Sequence, residues 1–160
     1  MRRADREITA FSELLQVIDS CDVCRLAFHH QPFPYILPLN FGYREENGQI
    51  SLYVHGATEG TKYDLLRQDN RVAFEMDCDH RLVLDEANGH CTMEYRSIIG
   101  GGTLSIVTDE AEKREALRLL MQHYRKEPFR YNPAAIPRTT VCKLTVLQLT
   151  GKARRVERSE

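Results

Sequence analysis

The apolar positions of this chain change period several times, and each change marks an element. Ile8, Phe11, Leu14, Leu15 and Ile18 recur at intervals of three and four. That spacing lines one face of a helix and predicts an amphipathic helix over residues 8–19. From Cys24 onward the period falls towards two. Short apolar-rich runs at residues 24–28, 35–43, 49–54, 71–77, 91–99, 103–107 and 141–149 read as strands. Their separators are turn chemistry: His29 to Pro32, the hairpin pair Asn47-Gly48, and the charged stretch 79–89, expected to be a surface excursion. Pro38 has no amide hydrogen, so its strand must be an edge there or carry a bulge. Gly100-Gly101-Gly102 suggests a bulge or sharp bend between two strands.

Helical periodicity returns twice, briefly over residues 61–68 and more clearly over 109–124. In the second helix Leu117, Leu120, Met121 and Tyr124 form the apolar stripe and Thr108 is placed to cap it. Residues 127–137, rich in proline, read as a loop. Short antiparallel hairpins without regular strand–helix–strand alternation predict a mainly β fold with helices: a barrel of six or seven antiparallel strands. The chain shows no internal repeat, and residues 1–160 read as one domain.

Composition narrows the function classes. Twenty-two Lys and Arg stand against 23 Asp and Glu, so the basic excess of a general nucleic-acid binder is missing. No apolar run approaches the roughly 20 residues that span a bilayer, so no membrane partner is expected. The amino end carries charges but no apolar region after them, unlike a secretory signal. Five cysteines, an odd number without an export signal, predict reduced thiols and a cytoplasmic protein.

The segment from His55 to Lys62 holds the most chemistry. It links a strand to a helix, and Gly56, Ala57 and Gly60 leave its backbone accessible, so amide N–H groups can face an anion. The helix start and Lys62 add positive charge, matching a phosphomonoester of roughly −1.5 to −2 charges. The same spacing also describes an ordinary glycine-rich connection with a solvated lysine. It is not a P-loop, whose Gly-x-x-x-x-Gly-Lys-Ser/Thr order is absent. Arg96 offers a planar fork for phosphate or carboxylate, with Ser97 beside it, or Arg96 is simply an exposed strand arginine in an ion pair. Cys21 and Cys24 have metal-ligand spacing, with Cys78 and Cys91 as the other half of a conceivable zinc site; buried structural thiols are the alternative. No Gly-x-Ser-x-Gly elbow exists and the six histidines are scattered, so hydrolase chemistry has no support.

Taken in order, Met1-Arg2-Arg3, Cys24-Arg25-Leu26-Ala27-Phe28, Pro34 through Tyr43, Leu52 through Ala57, Gly60-x-Lys62, Asp64-Leu65-Leu66, Tyr95 through Gly100 and Thr150-Gly151-Lys152 resemble a known family. It is the nitroimidazole-resistance branch of the pyridoxamine 5′-phosphate oxidase-like flavin-binding split-barrel proteins. The resemblance implies a split β-barrel homodimer with FMN at the subunit interface; some relatives carry FAD and others haem. It implies that Leu37, Pro38, Leu39 and Asn40, with Tyr53, Val54 and His55, lie along the flavin ring. Thr61 and Lys62 would hold the phosphate, with Arg96 and Ser97 nearby or supplied by the partner. His55 is the implied reactive side chain. The expected activity is an FMN-dependent oxidoreductase acting on a small, nitroaromatic-like acceptor, with a non-enzymatic flavin or haem carrier as the alternative, in which His29, His30, His55 or His123 would ligate the iron. The carboxy-terminal arginine signature of a true pyridoxamine phosphate oxidase is missing, which argues against vitamin B6 synthesis.

Overall fold

The computed structural model describes residues 3–130 and 132–156. Its eight strands are β1 (Glu7–Ile8), β2 (Cys24–Phe28), β3 (Tyr35–Leu39), β4 (Phe41–Glu46), β5 (Gln49–Gly56), β6 (Arg71–Asp85), β7 (His90–Ile106) and β8 (Thr140–Arg154). The helices are α1 (Phe11–Ser20), α2 (Thr61–Gln68) and α3 (Glu110–Tyr124). Seven strands follow one antiparallel path, β3-β2-β6-β7-β8-β5-β4, and β1 adds to β8 through Glu7 and Ile8. The two end strands of that path, β3 and β4, are separated in sequence only by Asn40. Two Cα steps of about 3.8 Å cannot span an open seven-stranded sheet, so the sheet must curl until its edges meet. No ladder joins β3 to β4 among the described residues. The result is a barrel split along one seam.

Alternation along the strands fills the barrel. Cys24, Leu26 and Phe28 of β2 point inward, as do Leu52 and Val54 of β5, Phe74 and Met76 of β6, and Leu144 of β8. α1 adds Leu14, Val17 and Ile18 to this core, each worth about 1.5–3 kcal/mol of burial. α3 covers the outside of β4 and β5, where Ala116, Leu117 and Leu120 meet Tyr53 and Val141 in a second, smaller core.

Several boundaries differ from the pattern-based expectation. α1 starts at Phe11, not Ile8, because Ile8 is drawn into a strand pair with Gly151 and buries its side chain there. The expected strand over 35–43 breaks at Asn40 into β3 and β4, and Pro38 does sit on an edge strand. Residues 79–89 are no loose excursion: β6 and β7 continue through them as a two-stranded arm, re-registered by a bulge between Cys78 and Arg81 where Asp79 adopts φ 58°. Gly100 to Gly102 lie within a continuous β7, with a register shift against β8 between Gly101 and Gly102. The α3 cap is Asp109, whose carboxylate accepts from the Glu112 amide at 2.7 Å; Thr108 lies one residue too early. Residues Pro133–Arg138 form a short 3-10 helix where a loop is expected. No helix among the described residues is long and apolar enough to cross a membrane.

The approach of α3 to β4 depends on a missing side chain. A Cβ at Gly42 would sit 2.6 Å from the Leu119 carbonyl carbon and closer still to the backbone of Leu120. Backbone cannot swing aside as a side chain can, so α3 would have to move away from the sheet. Gly42→Ala is expected to cost about 2–3 kcal/mol in urea unfolding; a loss under about 0.5 kcal/mol would show that α3 does not rest on this glycine.

Candidate functional site

The turn from β5 into α2 brings several groups together at one mouth of the barrel. β5 ends at His55-Gly56, and α2 begins at Thr61 behind Gly60. Gly60 occupies φ 136°, a region favouring glycine, and supplies no side-chain cap. The helix start therefore keeps its partial positive charge without a capping oxygen. Tyr63, buried against the core, donates its hydroxyl to the Ala57 carbonyl at 2.5 Å, which ties the loop to the helix.

Lys62 does not extend into solvent. It is half-buried, and its ammonium folds back over Gly56, where any Cβ would overlap Nζ. It also lies 4.8 Å from the Tyr63 ring centroid, a cation–π distance. No carboxylate pairs with Lys62 among the described residues. Its charge opposes the burial that pushes the Cys142 thiol up to about 11. Only glycine at position 56 leaves this ammonium its place.

His55 stands on the opposite face of the same strand end. Leu52 and Val54 point into the barrel, so Tyr53 and His55 point outward. The imidazole is half-buried, and its Nδ1 is fully buried without a hydrogen-bond partner. Burial, and then the charge of Lys62, hold its pKa below the ordinary value. The ring is therefore neutral at neutral pH and retains one unsatisfied polar nitrogen.

The other residues singled out in the sequence divide into two groups. Phe41 pairs with Val54, so Asn40, one position earlier, falls beside His55 at the same mouth. Leu37, Pro38 and Leu39 lead to it along β3, whose outer edge has no strand partner. Thr61 is exposed at the start of α2. Tyr53 is buried beneath α3 with its hydroxyl 3.3 Å from Glu112, and Val54 lies in the barrel core. Arg96 and Ser97 are elsewhere: they pair with Ala153 and Lys152, whereas His55 pairs with Val141. Twelve residues of β8 at about 3.3 Å each separate the two places, so they do not meet within one chain. Arg96 bonds to Asp79 and to Ser20 Oγ at 3.0 Å.

The zinc arrangement does not form. Cys91 is exposed on the arm, Cys24 is sealed in the barrel, and no group of three or more His, Cys, Asp or Glu able to hold a metal occurs among the described residues. Sequence reasoning missed Tyr63 and Cys142. Tyr63 follows Lys62 directly and could have been found as an aromatic in the first helical turn; Cys142 gave no signal beyond strand alternation.

Comparison with known proteins places this geometry. A structure of a candidate 5-nitroimidazole antibiotic resistance protein from Bacteroides thetaiotaomicron is 31% identical, with a TM-score of 0.80 over 92% of this chain and 86% of that one. Two more distant structures share the fold. The FAD and haem binding protein of Mycobacterium smegmatis has 17% identity and a TM-score of 0.76, covering 97% of this chain and 76% of that one. The flavocytochrome Anf3 of Azotobacter vinelandii has 19% identity and a TM-score of 0.75, covering 98% and 72%. No curated protein matches the sequence. The family model described as pyridoxamine 5′-phosphate oxidase matches residues 11–153, nearly the whole chain, and the protein belongs to that family.

Proposed function

We propose that this protein binds FMN at the β5–α2 mouth and works as a flavin-dependent oxidoreductase on a small acceptor of the nitroaromatic type. The observation that carries the reading is the Lys62 ammonium, half-buried against Gly56 at an uncapped helix start with no carboxylate partner among the described residues. A partly desolvated cation without a counter-charge is costly, and a phosphomonoester near −2 charge offsets that cost. Other members of the fold bind FAD, or FAD and haem together, which supports a flavin over other phosphates. The nitroimidazole-resistance relative supports the acceptor class.

When bound, the flavin supplies hydride and single-electron transfer. The chain supplies placement. Lys62 and the first amides of α2 hold the phosphate, while Thr61 adds a hydroxyl at the rim. The free edge of β3, from Leu37 to Asn40, and the end of β5 lie along the ring. His55, neutral because of its burial and of Lys62, is the reactive side chain at the end of β5.

The outer face of the barrel supports a homodimer. One rung runs Ile36, Ala27, Ala73, Gly101 and Gln148 across five strands, and a groove of about 610 Å³ lies over its small residues. Ile99 and Leu147 are 59% and 70% exposed on the strands beside it. Such a patch on a soluble chain fits self-association. A second copy would then supply Arg96 and Ser97 to the flavin. The reduced cysteines suit a cytoplasmic setting.

A haem carrier is the second reading, because exposed His29 rims that groove. His123 is already used, with Nε2 2.6 Å from the Cys21 carbonyl oxygen and its ring against Phe41. A Soret band in place of flavin absorbance would decide for haem. Flavin binding without turnover by NAD(P)H would mark a carrier.

Lys62→Ala is expected to weaken FMN binding about 10- to 100-fold, the loss of one charge-assisted contact, while riboflavin, lacking the phosphate, binds as before. Equal losses for both ligands, measured by fluorescence quenching, would remove the phosphate role. The His55 imidazole is expected to titrate by NMR below about 6.5. Above that pH it is neutral in folded and unfolded chains alike; below it the unfolded chain takes up the proton first, so stability falls with acidification. His55→Gln should flatten that fall in urea unfolding as the pH drops below about 6.5, and an unchanged slope would place the titrating group elsewhere.

A further inference from the structure

The Lys62 ammonium lies inward although no carboxylate draws it there among the described residues. Two features of its surroundings account for the position. The first is the next residue in the chain. Tyr63 is 3% exposed and packed into the barrel core, so its ring cannot turn aside. Its hydroxyl donates to the Ala57 carbonyl at 2.5 Å, and its amide donates to the Gly60 carbonyl at 3.0 Å. The ring is pinned at both ends. Lys62 Nζ sits 4.8 Å from the ring centroid, within the range of cation–π attraction.

The second feature is the missing side chain at Gly56. A Cβ there would overlap Lys62 Nζ, and it would lie 3.4 Å from Lys62 Cε and 3.6 Å from the Tyr63 hydroxyl oxygen. Ammonium, lysine stem and tyrosine hydroxyl thus border one small space. Gly56 is not among the residues at positive φ, so backbone conformation does not demand glycine there. Room does.

We propose that Tyr63 and Gly56 are positioning residues for Lys62: a pinned aromatic ring and the space beside it form a berth that holds the ammonium in place before any ligand arrives. A lysine side chain is among the costliest to order. A freely moving lysine would lose that freedom on gripping an anion, and the loss would weaken binding. Held over Gly56, Lys62 is already ordered. The choice of partner matters as much as the placement. A carboxylate would hold the ammonium but cancel its charge, whereas an aromatic ring holds it and leaves the charge free for an anion. What the berth is for rests on the reading that Lys62 takes the flavin phosphate; the berth itself does not.

The first test needs no flavin. Lys62 is a charge that disfavours protonation of His55, so the His55 imidazole reports where the ammonium stands. Its NMR signal is assigned with His55→Gln, and its titration midpoint is followed in the full chain. Lys62→Ala is expected to raise the midpoint, with burial still holding it under the ordinary value. Tyr63→Leu and Gly56→Ala should each reproduce most of that rise. In the Lys62→Ala background neither should add to it, because no ammonium is left to displace. Tyr63→Phe, which keeps the ring, should leave the midpoint where it was. Gly56→Ala asks only the tip of a flexible lysine to give way, so it carries the test if Tyr63→Leu does not fold. An unmoved midpoint in Gly56→Ala, or rises of equal size with and without Lys62, would overturn the berth.

A second readout is the ratio of FMN to riboflavin affinity, which isolates the phosphate. It is expected to fall about 3- to 10-fold in Gly56→Ala and in Tyr63→Leu, less than in Lys62→Ala. If the unsubstituted chain binds no FMN, the flavin reading falls and the titrations still judge the berth. If FMN binds, and both variants keep the ratio and the midpoint, the berth falls and the flavin reading stands.

Discussion

The barrel depends on a short joint. Leu39 ends one extreme of the sheet path and Phe41 begins the other, so Asn40 alone must hold the two edges within two Cα steps. The joint is anchored rather than merely short. The Phe41 amide donates to the Tyr124 hydroxyl at 3.0 Å, and that hydroxyl donates to the Asp22 carbonyl at 2.8 Å. The last turn of α3 therefore ties the start of β4 to the segment after α1. With β4 fixed, β5 follows by its hairpin, and the β5–α2 turn falls beside the seam. The mouth that holds Lys62 and His55 is a product of this closure.

At that mouth, strand alternation sets the chemistry. Gly56 faces the barrel and His55 faces away, so a single strand end offers an ammonium slot on one side and an imidazole on the other. Their separation is small enough for Lys62 to disfavour protonation of His55. Two neighbouring cationic groups in a partly desolvated corner repel, and the histidine yields by staying neutral. This leaves a fixed positive charge for an anion and an uncharged proton acceptor a short way off. An anionic cofactor with a proton-coupled ring suits both.

Much of the fold was legible because it rests on local periodicity. The strand runs, the Asn47-Gly48 hairpin and the stripe of α3 all follow from spacing, and Pro38 marked its strand as an edge or a bulge, of which the structure has the edge. What was not legible depended on distant partners. Ile8 has the spacing of a helical residue, yet Gly151 offers it a strand pair and a pocket. Residues 79–89 look turn-prone because of their charges, but Leu82 pairs with Met93 and Leu84 with Cys91, and the arm gains a full ladder. In the site, Gly56 and Lys62 were found from the sequence as a glycine-rich turn and a cation. That the cation folds inward over the glycine is a matter of the third dimension. Cys21, Cys24, Cys78 and Cys91 could be read from spacing as a zinc site or as buried structural thiols; the first three are buried, Cys91 is exposed, and no metal-holding group forms among the described residues.

The placement of Arg96 bears on how the site is completed. Within one chain it is committed to Asp79 and Ser20 at the far end of β8. A ligand held by Lys62 cannot also reach it along a dozen residues of strand. In an isologous dimer the far end of one barrel can lie against the near mouth of the other, because each surface meets its complement twice. The small-residue rung on the outer face offers a flat seat for such packing. If Arg96 serves the flavin, it serves the partner's flavin, and the cofactor site then exists only in the assembled pair. The anchoring of Arg96 within its own chain would make that contribution rigid, since its two bonds fix the guanidinium before any second chain arrives.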